Sequence, residues 1–329
     1  MAVRRRKQRR GRSYAWRYRG RIVACVFVEV LIICALVIMV GWNKGVKEWF
    51  EQFEQPVLKE VDISGINSPN AILMQAKGGK ILGEINGEAQ IYPASMTKIM
   101  TVILGIENFD DLDEKITLTD EMFAGLYEQD ATQAGFQPGE EVRVIDLLYG
   151  AMLPSGAECC IALADTISGS EADFAELMNK KAAKLGMDNT HFCDSTGLHN
   201  PDHYSTVKDI AVLMKYCIKN DTFREIIETA RHSTGVTNIH PDGITYYSTM
   251  FKNLSDPTVT GGKILGGKTG YTSEAGHCLV SFAEIEGREY IFVSAGASGA
   301  DGNTIPHIQD AVTVYNRVGA AIEAKMNDN

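Results

Sequence analysis

Cysteine is scarce in this chain, with seven in 329 residues and no CxxC pair or Cys/His spacing suited to a metal. That excludes a disulfide-stapled scaffold. Internal repeats and low-complexity stretches are absent as well. Acidic residues are missing from positions 1–21, which hold ten Lys or Arg, so positions 22–329 carry 22 basic and 42 acidic residues, a net charge of −20. An acidic body behind a short basic head argues against a soluble nucleic-acid binder, whose folded domain would itself carry the positive field. Disorder is excluded too, because 45 % of the residues are hydrophobic and only 22 % are charged. The length allows one large domain or two ordinary ones.

The basic head (1–21) leads into Ile22–Val40, a run of 19 residues whose only charge is Glu29. Such a run can cross most of a bilayer core about 30 Å thick. Its flanking cations place the head in the cytoplasm by the positive-inside rule. A cleaved signal peptide needs a small-x-small site after the run, and Val37-Ile38-Met39-Val40-Gly41-Trp42 offers none. The expectation is an uncleaved transmembrane signal-anchor over 22–42, a stalk over 43–56, and an extracytoplasmic domain over 57–329 of a cell-membrane protein. Cys25 and Cys34 fall in the span. Cys159, Cys160, Cys193, Cys217 and Cys278 are odd in number, so at least one is unpaired within the chain, and they are expected as buried thiols.

In the body, Asn67–Asn86 reads as a hairpin turning at Gly78-Gly79. Met96–Ile106 reads as a helix with Met96, Ile99, Met100, Ile103 and Leu104 on one face. Further helices are expected at Val144–Ala151, Glu158–Ile167, Ala172–Leu185 and Thr206–Asn220, the last with a Ser205 cap. Residues 186–205 read as an irregular loop. Two strands, Gly276–Ile285 and Arg288–Ala297, meet at Glu286-Gly287, and a last helix runs from about Ile305 to Ala324. Strands at both ends with helices between predict an α+β layer fold in which N- and C-terminal strands share one antiparallel sheet.

Three short motifs carry chemistry. Ser95-Met96-Thr97-Lys98 opens the apolar helix. Positions i and i+3 share a helix face, which sets the Lys98 amine beside the Ser95 hydroxyl. A serine nucleophile needs a neighbouring base, and a lysine serves when burial or nearby cations lower its pKa. Ser-x-x-Lys is common by chance, but Pro93 just before a helix start strengthens this one. Pro154-Ser155-Gly156-Ala157-Glu158 sets a serine in a break between helices, where it either reaches into a cleft or caps the helix that follows. Gly267-Lys268-Thr269-Gly270-Tyr271 puts a cation, a hydroxyl and a glycine open to close backbone approach on an edge strand. It is not a phosphate loop, because the GxxxxGK[ST] spacing is absent.

This trio resembles the set found in penicillin-binding proteins and class A β-lactamases. Ile91-Tyr92-Pro93-Ala94-Ser95-Met96-Thr97-Lys98 resembles the acylation motif of the serine-type D-alanyl-D-alanine carboxypeptidases, the low-molecular-weight penicillin-binding proteins. Leu148–Ala164, Leu185–Lys215 and Gly267–Val280 are similar to the same family, so the resemblance covers roughly 60–300. It implies a β-lactamase/transpeptidase-like fold with no cofactor and no metal. It makes Ser95 the acylated nucleophile, Lys98 its base and Ser155 a proton relay with Lys268. Lys268 and Thr269 hold the substrate carboxylate on the strand that continues through Gly270, and the Ser95 and Tyr271 N–H groups form the oxyanion hole. The implied partners are peptidoglycan stem or precursor peptides ending in D-Ala-D-Ala, and β-lactams as acylating inhibitors. Glycopeptide-resistance systems include similar carboxypeptidases.

Two departures stand out. Ala157 occupies the place where the family motif Ser-x-Asn carries its amide, so Glu158 or a backbone group is expected to substitute, or affinity is altered. The family is often anchored through a C-terminal helix, a task expected here of the N-terminal span. Three alternatives stay open. A metal peptidase would use His191, Asp194, His199, Asp202 and His203, although Gly197 and Pro201 break any shared helix. A β-lactamase would need a deacylating carboxylate, for which Glu176 is the nearest candidate. A β-lactam or wall-peptide receptor would acylate without turnover.

Overall fold

The computed structural model describes residues 58–299 and 305–327. The head, the apolar run and the stalk lie outside the described residues, and so does their assignment to a membrane. Among the described residues no helix is long and apolar enough to cross one.

The chain opens with the hairpin β1 (Asn70–Gln75) and β2 (Ile81–Ile85), followed by a 3-10 turn at Ala94–Thr97 and helix α1 (Lys98–Asn108). Next come β3 (Lys115–Thr117), β4 (Glu141–Arg143), α2 (Val144–Met152), α3 (Ala157–Ser168), α4 (Glu171–Leu185), α5 (Val207–Cys217) and α6 (Asp221–Glu228). The remainder is β5 (Arg231–Ser233), β6 (Thr245–Tyr247), α7 (Thr249–Asn253), β7 (Thr258–Val259), β8 (Gly262–Thr272), β9 (Gly276–Ile285), β10 (Arg288–Ala297) and α8 (Pro306–Asn327). Six strands form one antiparallel sheet in the order β2-β1-β10-β9-β8-β7. The first hairpin therefore pairs with the last strand, so N- and C-terminal strands share a sheet as expected.

Alternation along the strands divides the core in two. Ile72 and Met74 of β1, Val280 and Phe282 of β9, and Ile291 and Val293 of β10 face the helices between the two halves of the sheet. Leu73, Leu279, Ile285, Tyr290 and Phe292 face the other way, against Val314, Tyr315, Val318 and Ile322 of α8. Both faces are covered, which is why these strands read as almost unbroken apolar runs rather than alternating ones.

Three details differ from the sequence reading. Helix α1 is buried from Lys98 through Gly105, on all sides rather than on one face, because it runs through the middle of the helical layer. The cap of α5 is Thr206, whose Oγ1 accepts from Asp209 N at 3.0 Å, rather than Ser205. The helix expected to reach Asn220 ends at Cys217, and Asn220 caps α6 by accepting from Phe223 N at 3.0 Å. No Gly or Pro marks that break, so it left little trace in the sequence. The β5–β6 hairpin and α7 were likewise unanticipated.

Candidate active site

Pro93 and Ala94 lead into the turn that carries Ser95. Ala94 has φ +46°, a left-handed conformation that costs an alanine energy and persists only where surrounding structure enforces it. Lys98 begins α1, and its Nζ lies 3.0 Å from Ser95 Oγ and 2.6 Å from the Thr196 carbonyl. The side chain is 3 % exposed, and burial pushes its pKa down. Cys160, Asp194, Glu158 and Cys159 oppose that shift in part. Lys98 Nζ thus donates to the Thr196 carbonyl and meets the Ser95 hydroxyl, and the lowered pKa favours the neutral amine that a base requires.

Ser155 stands on the opposite side of Ser95, its Oγ donating to Ser95 Oγ at 3.0 Å. Lys268 Nζ donates to Ser155 Oγ at 3.0 Å and to the Thr269 carbonyl at 2.9 Å. Ser155 is no helix cap. That place falls to Gly156, with no side-chain bond, and Ser155 itself holds φ +74°. Lys268 is fully buried, and burial first, then the nearby Lys98, hold its amine well below the ordinary lysine range. Lys98, Ser95, Ser155 and Lys268 thus form one continuous row of proton-exchanging atoms.

Strand β8 lies along this row. Strand β7 pairs only with Gly262 and Lys263, so the stretch Lys268–Tyr271 has a free outer edge, the condition the edge-strand reading required. Gly270 allows the close approach: a Cβ there would sit 3.0 Å from Ser95 N and 3.1 Å from Ala94 Cβ. Thr269 Oγ1 lies 2.7 Å from Thr249 Oγ1, and Tyr271 is exposed.

A tight turn supplies the carbonyl that Lys98 uses. Asp194 Oδ1 accepts from Thr196 N at 2.7 Å, Thr196 Oγ1 at 2.8 Å and Gly197 N at 2.7 Å. Against the raising effect of burial, the adjacent His203 and then these donors hold its carboxyl down at about 2. Gly197, at φ +79°, packs directly on the Ala94 carbonyl.

The structure therefore brings Ser95, Lys98, Ser155 and Lys268 together, with Thr269, Gly270 and Tyr271 on the strand beside them. Sequence reasoning missed the Thr196 carbonyl and Thr249, and it considered Asp194 only as a metal ligand. The histidine-rich loop divides its members among separate tasks. His203 bonds Thr97 Oγ1 at 2.9 Å and Asp194 at 3.2 Å, His191 meets the Asp202 carbonyl at 2.6 Å, and His199 packs edge-on against Tyr92. Among the described residues no group of three or more His, Cys, Asp or Glu is placed to hold a metal. Glu176 lies on the solvent side of α4, paired with Lys180. Glu158 does not stand in for the absent amide, because its carboxylate is fully buried and turned to the Ala134 and Gly135 N–H groups.

A serine flanked by two buried lysines and a second serine, beside an open strand edge, is an arrangement chemically suited to serine acyl transfer. The sequence profile of the D-alanyl-D-alanine carboxypeptidases matches residues 57–299. The chain belongs to that family. It is 35 % identical over 231 residues to the D-alanyl-D-alanine carboxypeptidase DacF of Bacillus subtilis, a match covering 70 % of this chain and 57 % of that protein. It is 34 % identical to the D-alanyl-D-alanine carboxypeptidase of Streptomyces sp. strain K15, covering 69 % of this chain and 78 % of the other. The crystal structure of the Streptomyces K15 DD-transpeptidase superposes with TM-score 0.71 at 29 % identity, covering 79 % of this chain and 100 % of that one. The matched stretch spans 57–60 % of the length of the first curated relatives.

Proposed function

We propose that this protein is a serine D,D-carboxypeptidase, penicillin-binding, which removes the terminal D-alanine from peptidoglycan stem or precursor peptides. The single observation that carries this reading is the row Lys98–Ser95–Ser155–Lys268, each step 3.0 Å. Ser95 Oγ attacks the carbonyl of the penultimate D-alanine while its proton passes to Lys98. The tetrahedral oxyanion forms against the Ser95 and Tyr271 N–H groups, each such donor being worth about 2.7–4 kcal/mol. The C–N bond then breaks. The leaving amine takes a proton delivered through Ser155, leaving the acyl group on Ser95. Water hydrolyses that ester and restores the serine. Lys268 and Thr269 hold the substrate carboxylate. An arriving carboxylate favours the charged form of Lys268, so substrate binding and proton uptake at that amine are coupled. β-Lactams offer a strained amide to the same serine.

The domain division belongs to the same proposal: a cytoplasmic head at 1–21, a membrane signal-anchor at 22–42, a stalk at 43–56 and an extracytoplasmic catalytic domain at 57–329. The 19-residue apolar run behind ten cations supports it.

The test is D-alanine release from an acyl-D-Ala-D-Ala peptide by the full chain, with and without benzylpenicillin, with and without a chelator, and in Ser95→Ala. Release that resists the chelator and disappears in Ser95→Ala is expected. Acylation by penicillin with no D-alanine release would support a receptor, and release abolished by the chelator would reject the serine mechanism.

A further inference from the structure

Ser155 sits in a strained left-handed turn, and something must hold it within reach of Ser95. Its neighbours Gly156 and Ala157 have no polar side chain to do so. What holds the turn is the segment 132–135, which wraps over it. Ala157 N donates to the Thr132 carbonyl at 2.8 Å, and Gly156 N donates to the Gly150 carbonyl at 2.8 Å. Glu158 closes the wrap, its Oε1 accepting from Ala134 N at 2.6 Å and from Gly135 N at 2.9 Å. The fit is tight: a Cβ on Gly156 would lie 2.8 Å from Ala134 Cβ and 3.0 Å from Glu158 Oε2.

Glu158 is costly to keep there. It is 0 % exposed, and neither its Oε2 nor the buried Tyr246 hydroxyl has a hydrogen-bond partner among the described residues. Burying a carboxyl group is costly, and burial raises its pKa; a sequence under selection for stability alone would favour an apolar residue there. A costly group that clamps a strained turn, three residues from the serine proposed as proton relay, is better explained by that serine's position than by packing.

We propose that Glu158 is a positioning residue for acylation: it never touches substrate, but by tying segment 132–135 to the Ser155 turn it fixes the Ser155 hydroxyl between Ser95 and Lys268. This inference rests on the acylation reading above. It implies an unusual ranking of variants. Glu158→Gln removes the ionisable group but keeps an oxygen that can accept both N–H bonds. Glu158→Asp keeps the carboxyl group but withdraws its oxygens from those donors.

Acylation of the full chain by a fluorescent penicillin, resolved into half-saturation and the first-order acylation rate, tests this. Misplacing a reacting group by about 1 Å can cost about 100-fold. Glu158→Asp and Glu158→Ala are therefore expected to slow the acylation rate by about 10–100-fold with half-saturation unchanged, while Glu158→Gln stays within about threefold. Because the effect runs through Ser155, adding Glu158→Asp to Ser155→Ala should slow acylation no further. Thermal melts establish which variants fold, and if Glu158→Ala does not, Glu158→Asp against Glu158→Gln carries the comparison. Wild-type rates in a folded Glu158→Asp, or a loss that multiplies on the Ser155→Ala background, would overturn the inference. A wild-type chain that is never acylated would instead overturn the acylation reading itself.

Discussion

Replacing Gly197 by alanine isolates how closely the lysine turn and the serine turn are fitted. At φ +79° the new side chain first meets a backbone cost of about 1–2 kcal/mol. It then meets Ala94: the carbonyl carbon would stand 2.5 Å from the added Cβ, and Thr97 Oγ1 2.8 Å from it. Carbon atoms pack at about 3.5–4.0 Å, so the two turns must part by about 1 Å. Opening that contact displaces Ala94-Ser95 on one side and the Thr196 carbonyl that orients Lys98 on the other. A 1 Å misplacement at a reacting pair can cost about 100-fold, so acylation by a fluorescent penicillin should fall by about that factor or more. Gly186→Ala is the matched control. Its φ is +76°, yet nothing lies within 4 Å of the added Cβ. It should show the backbone cost alone, a melting temperature lower by roughly 2–8 °C, with acylation unchanged. Near-wild-type acylation in Gly197→Ala, or an equal loss in the Gly186→Ala control, would refute the reasoning.

Four further outcomes follow from the buried charges. Lys98→Arg keeps a cation that stays protonated, so it should lose about 100-fold or more in acylation rate at every pH, whereas a rate that recovers would deny Lys98 the role of base. In the wild type, burial lowers the Lys98 value, so the neutral base is present above that value and the acylation rate falls as pH drops through it. A pH–rate profile should therefore place this limb below the ordinary lysine range near 10.4. Lys268→Met removes a buried amine, so its melting temperature should equal or exceed that of the wild type while acylation falls by about 100-fold. Asp194, held down at about 2, contributes on the order of 2 kcal/mol that is present above the unfolded value near 3.9 and lost as pH falls through the folded one. Urea melts should show the gap between the wild type and Asp194→Asn closing between about pH 5 and pH 2.

Much of the fold was legible because burial leaves a compositional record. Strands β9 and β10 begin and end at the residues that their apolar runs and the Glu286-Gly287 turn suggested. Helices α2 and α3 lie on either side of the Pro154-Ser155-Gly156 break that separated them in the sequence. The unread parts share a cause: they depend on surroundings rather than local pattern. Apolar residues repeated on one face of α1 do not reveal that Thr101 and Val102, on its other sides, are buried as well. Ser95, Lys98, Ser155, Lys268 and Thr269 were legible as candidates because the expected chemistry needs particular side chains, while Gly270 and Tyr271 came with the motif that holds them. The Thr196 carbonyl was not, since every residue has one, and only the Asp194 turn aims it at Lys98. The strain at Ala94 and Ser155 is equally silent, because neither residue type advertises a positive φ.

The central claim is that Ser95 carries the acyl group. Mass analysis of the full chain after brief exposure to benzylpenicillin, followed by peptide mapping, reads this directly. The account predicts one adduct, on the peptide containing Ser95, absent from Ser95→Ala and formed normally with a chelator present. An adduct on Ser155, or acylation that persists in Ser95→Ala, would contradict it.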